Sequence, residues 1–165
     1  MRQYILRGLM IFVLTLTVSN GAAFADQFAD SIAAYDRGYF ATALQLLRPL
    51  AEQGNAQAQN AMGAMYYNGK GVAQDFKEAL KWYRSAATQG NLSAQLNLGA
   101  MYYEGKGTSE DLIRAYMWLR IAAAKGSADA VKLRDDISKY IIDQQIIEAH
   151  AMAYKCETSG YKQCD

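Results

Sequence analysis

Apolar residues in the middle of the chain fall at helical rather than strand spacing. Ala58, Met62, Met65 and Tyr66 stand at i, i+4, i+7 and i+8, one stripe of an amphipathic helix. Phe76, Ala79, Trp82, Tyr83, Ala86 and Ala87 build a second stripe by the same rule. Between the stripes lies the polar, breaker-rich run Gly69-Lys70-Gly71, so the pattern predicts a helix–loop–helix pair. Asp75, with Glu78 three residues on, has the form of a capping box opening the second helix. Gly90 stands where a left-handed C-cap is expected.

The whole pattern returns at a fixed interval. Residues 55–90 align without a gap on 91–126 and are identical at 18 of 36 positions. Such a period predicts a stacked solenoid. Small residues kept between the copies, among them Ala58, Gly63, Ala79, Ala86 and Ala87, permit close helix approach. Half a unit precedes them at 26–54: Ala43, Ala51 and Gly54 lie 36 residues before Ala79, Ala87 and Gly90, with Gly38 alone in the shorter loop. Residues 127–165 start in phase, Ala130 matching Ala58 and Ala94, but Asp135 stands where the full units have Gly63 and Gly99. Terminal units of a solenoid are expected to be atypical in this way. The predicted fold is an all-α, right-handed helix-turn-helix solenoid of about four pairs.

The pattern A-x-x-x-x-G-x-M-Y-x-x-G-x-G, then D-x-x-x-A-x-x-W-x-x-x-A-A-x-x-G, resembles the Sel-1-like repeat family. The resemblance implies an α/α solenoid related to tetratricopeptide repeats, with the extra length in the interhelical loop. It also implies a role in holding proteins together. The run DQQIIEAHAMA at 143–153 is similar to the helix that closes many bacterial members.

The first 25 residues read as an export leader. Arg2 and Arg7 precede an apolar run from Leu9 to Val18, and Ala23-Phe24-Ala25 forms an A-x-A cleavage pattern. That run is too short to span a bilayer, which needs roughly 20 apolar residues. The expected mature chain is Asp26–Asp165, exported, periplasmic or extracellular, without membrane insertion. Formal net charge is +1 for the full chain and −1 without the leader, so nothing points to nucleic acid. Cys156 and Cys164, both in the polar tail of an exported chain, point to a disulfide, with pairing between chains as the rival.

Four features bear on catalysis. The Gly-Lys-Gly loops lack the spacing and the preceding strand of a P-loop, so Gly69, Gly71, Gly105 and Gly107 read as helix connectors, with Lys70 and Lys106 solvated. The lone His150 has no companions at metal-ligand or triad spacing, and no metal or cofactor is expected. Ser159-Gly160-Tyr161-Lys162 matches the S-x-x-K form of acyl-enzymes. The family resemblance extends to members linked to β-lactam binding, making an envelope hydrolase or acylated enzyme using Ser159 and Lys162 the rival function. A small-ligand sensor is the third. The paired aromatics Tyr66, Tyr67, Tyr102, Tyr103, Trp82 and Trp118 read mainly as core.

The expected partner is another protein or peptide, bound on the concave face that one helix of each pair lines. On the first repeat this face is Gln57, Asn60, Ala61, Ala64, Tyr67 and Asn68; on the second it is Ser93, Leu96, Asn97, Ala100, Tyr103 and Glu104. Asn60 and Asn97 are the prime candidates, because an amide satisfies both a backbone N–H and a C=O of an extended peptide.

Overall fold

The computed structural model describes residues 25–164, so the expected leader lies, but for Ala25, outside the described residues. All regular elements among these residues are helical. A helix α1 (25–36) leads into α2 (Phe40–Glu52), α3 (Ala56–Asn68) and α4 (Phe76–Ala87). Then come α5 (Leu92–Glu104), α6 (Leu112–Ala124), α7 (Ala128–Ile137) and α8 (Asp143–Thr158). Each helix from α2 to α7 packs on its neighbours in sequence, which makes a solenoid.

The helices start where short polar side chains can take over backbone donors. Asn55 and Asn91 accept from Ala58 N and Ala94 N at 2.9 Å, and Ser127 accepts from Ala130 N. Asp75 caps α4 through Lys77 N and Glu78 N, but the expected capping box is not closed. The Asp75 N–H already donates to Tyr66 O at 3.0 Å, and Glu78 turns instead to Lys81. Asp111 N repeats that bond to Tyr102 O at 2.9 Å, so each loop is closed by a carbonyl from the end of the preceding helix. The αL C-caps are Gly69 and Gly105; Gly90 has positive φ but lies past the Thr88 cap of α4.

Within a unit the two helices meet at glycine. A Cβ on Gly63 would stand 2.6 Å from the Tyr83 ring, and one on Gly99 2.7 Å from Leu119 Cγ. Asp135 occupies the equivalent point of α7, where no helix can come so close. Accordingly α8 packs mainly on α6, and the regular pairing stops. Arg120 reaches Glu157 of α8 at 3.3 Å, whereas Arg48 and Arg84, its counterparts 72 and 36 residues earlier, donate to the hydroxyls of Tyr66 and Tyr102. Position 138, where the next tyrosine would fall, is serine.

Two apolar clusters form the interior, one around Leu47, Leu50, Met62 and Met65, the other around Leu98, Met101, Trp118 and Leu119. Tyr66 packs against both. Tyr102 and Trp118 are buried, and Trp82 packs on the first cluster, as expected of a structural stripe.

Candidate functional site

The even-spaced helices α1, α3 and α5 line one face, and adjacent pairs leave grooves between them. A cleft of about 320 Å³ between α3 and α5 is lined by Ala64, Tyr67, Asn68, Tyr83, Asn97, Ala100 and Met101. At its edge Asn97 Nδ2 donates to Asn60 Oδ1 at 3.3 Å, joining the two amides across the helices. Ala64 also lines a second trough, about 220 Å³, whose other walls are Ile32, Tyr35, Leu47, Ala61 and Met65. The two therefore share Ala64 as a common wall, the first amide-bearing and the second apolar.

Not every residue expected on this face joins the groove. Gln57 and Ser93 are exposed in the first turns of α3 and α5 and line neither cleft. Leu96 packs against the core. The Asn68 amide is spent on its own helix, donating to Ala64 O at 2.8 Å. Tyr103 sits further along, its hydroxyl 3.4 Å from Asp136 Oδ2. Burial, then the Asp136 charge, pushes that hydroxyl's pKa up, while Lys139 holds Asp136 below its ordinary value.

The lysine of the second loop is engaged, contrary to its expected solvation. Lys106 Nζ donates to Tyr67 Oη at 2.6 Å and pairs with Glu104 at 2.7 Å. The Tyr67 hydroxyl in turn donates to Glu104 Oε2 at 3.2 Å, closing a three-residue network on the cleft rim. These partners, Glu104 foremost, push the Lys106 pKa up to about 12. The ammonium also lies 4.8 Å from the Tyr67 ring and 5.5 Å from that of Phe76, and Lys70 repeats the arrangement 4.7 Å from Phe40. Each loop thus fastens its unit to the first turn of a helix in the preceding one. Phe40 and Phe76 are themselves 36 residues apart, which is the signal that locates this joint.

Phosphate has no place in these loops. The N–H groups of Gly69 and Lys70 both point back to Met65 O, and those of Gly105 and Lys106 to Met101 O. The second glycines face backbone: a Cβ at Gly71 would stand 2.5 Å from Phe40 O, and one at Gly107 2.3 Å from Phe76 O.

The tail is structural. Cys156 and Cys164 form a disulfide within the chain. Ser159 Oγ donates to Cys156 O at 2.9 Å and accepts the Gln163 N–H at 3.0 Å, so its hydroxyl is engaged by the backbone of the tail. His150 stacks on Tyr116 with ring centroids 5.7 Å apart. Among the described residues no cluster of three or more His, Cys, Asp or Glu could hold a metal ion. Nor is any of their helices long and apolar enough to cross a membrane.

Comparison with known proteins bears on the repeat. The Sel1 repeat family model matches residues 56–91 and 92–127. A solved protective antigen of uropathogenic Escherichia coli strains, displaying an SLR fold, superposes with a TM-score of 0.78 at 25% identity over 84% of this chain. A Sel1 repeat protein from Oxalobacter formigenes gives 0.62 at 34% identity over 65%. The chain spans 31% and 44% of these two proteins' lengths. No curated protein sequence matches significantly. Sel1 repeat proteins generally mediate protein–protein interaction and are typically non-catalytic scaffolds. The chain thus carries two Sel1 repeats and shares the helical solenoid of these Sel1-repeat structures.

Proposed function

We propose that this protein is an exported adaptor of the cell envelope, without catalysis of its own, that holds an extended peptide segment of another protein along the α1–α3–α5 face. The Asn60–Asn97 pair carries the reading. Each amide keeps donors and acceptors beyond their mutual bond, and a peptide backbone has the matching C=O and N–H. Next to the pair, the trough lined by Ile32, Leu47 and Met65 takes one large apolar side chain of the same peptide. Export is supported by the leader read at 1–25 and by a disulfide, which persists in oxidising compartments.

Selection from a randomised peptide library tests this. Enriched peptides carry an apolar residue, Asn97→Ala weakens them about tenfold, as expected for losing one buried hydrogen bond, and Ala61→Glu abolishes the apolar preference. Binders that ignore both substitutions while the circular dichroism spectrum is unchanged would move the site elsewhere.

A further inference from the structure

The last helix presents an unpartnered apolar seam. On α8, Ala149, Ala153 and Cys156 face the core, while Ile147 and Tyr154 on the other side are 61% and 69% exposed. Ala151 and Thr158 are exposed between and beyond them, completing an i, i+4, i+7, i+11 line. Solenoid ends are normally finished with a polar face, so this seam departs from what a terminal cap requires.

The charges beside it say what covers it. Glu148 and Lys155 are both exposed, seven residues apart on one flank of the seam, and neither makes an ion pair among the described residues. Asp143, His150 and Glu157 occupy the opposite flank at seven-residue steps, Glu157 already paired with Arg120. We propose that a second copy of this chain packs its α8 antiparallel against this one, about a two-fold axis. In that arrangement the same flanks meet, so each Glu148 stands opposite Lys155 of the second copy and Ala151 lies against Tyr154. Parallel packing sets opposite flanks together and brings Glu148 beside Asp143, two like charges. The charge pattern is self-complementary in one orientation only.

Ile147 and Tyr154 together offer roughly 250 Å² of side chain. A stable interface buries about 800 Å² per partner, so this dimer is a weak one that forms with rising concentration. The peptide groove plays no part in it, and each dimer carries two grooves.

Analytical ultracentrifugation of the purified protein over an about hundredfold concentration range tests the pairing. The wild type moves from monomer to dimer. Glu148→Lys and Lys155→Glu each weaken dimerisation about tenfold or more, by setting like charges opposite each other twice. Mixing those two variants in equal amounts restores a dimer, because both cross-pairs become attractive. The variant carrying both exchanges also dimerises with itself. Both substituted positions, Glu148 and Lys155, are exposed, so the variants keep the wild-type fold, which circular dichroism checks. A wild type that stays monomeric throughout, or a dimer indifferent to the charge reversals, overturns the proposal. So does a different protein that occupies the seam while this chain stays monomeric.

Discussion

Replacing Gly107 by alanine isolates the joint between successive units. Two costs add. Gly107 has φ +77°, where a side chain costs about 1–2 kcal/mol. Its Cβ would lie 2.3 Å from Phe76 O, 2.6 Å from Phe76 C and 3.1 Å from Lys77 N. All three are backbone in the first turn of α4, so no rotamer change relieves the clash. The loop has to lift by roughly 1 Å to reach ordinary contact. Overpacking of this kind costs about 1–3 kcal/mol, and lifting also loosens Lys106 from the Tyr67 and Phe76 rings, about 0.5 kcal/mol each. Gly126→Ala supplies the control: φ is +92° and nothing lies within 4 Å of its Cβ, so only the backbone cost remains. The gain from a stiffer unfolded chain, about 0.4–1 kcal/mol, is common to both and cancels in the difference. Equilibrium unfolding in guanidinium, followed by circular dichroism, is expected to place Gly107→Ala about 2–3 kcal/mol below Gly126→Ala. A gap under about 0.5 kcal/mol would show that loop packing does not hold the units together.

Two further outcomes follow from the C-terminal region. Removing the disulfide with Cys156→Ala and Cys164→Ala is expected to cost about 2.5 kcal/mol, the loop-closure value for so short a loop; the same unfolding curves measure it, and no loss would mean the tail contributes nothing to the cap. His150 is the sole histidine, so its ring can be followed by NMR without ambiguity. Burial, then Arg120 and Arg134, hold its pKa below the ordinary 6.5, so the unfolded chain takes up the proton first. Stability from this group is therefore complete above 6.5 and is lost as pH falls through the folded value. A titration midpoint above 6.5 would refute the described environment.

The periodic part of the fold was open to reading because each stripe repeats its side chains at a fixed interval. Gly63 and Gly99, the small alanines and the buried tryptophan all stood at positions that packing demands. Lys106 was misread since charge alone says nothing of a neighbour one unit away; Phe76 had to be read at the same period as Phe40 to place it. The capping box failed on competition: the Asp75 N–H was already claimed by Tyr66, a pairing that depends on how the loop closes. The groove was only half visible. Asn60 and Asn97 lie at different positions of the repeat, 37 residues apart, and come together through the stagger of α3 against α5. The apolar trough draws on α1, outside the two full repeats, where no internal copy could reveal which residues face inward.

Asp135 acts as a terminator for a counted series. A 36-residue block copied in phase ahead of it adds a whole unit, with its own loop joint to the unit before, and leaves the α8 cap untouched. Copy number can therefore change by duplication without exposing a ragged end, and the inner face lengthens by one helix each time.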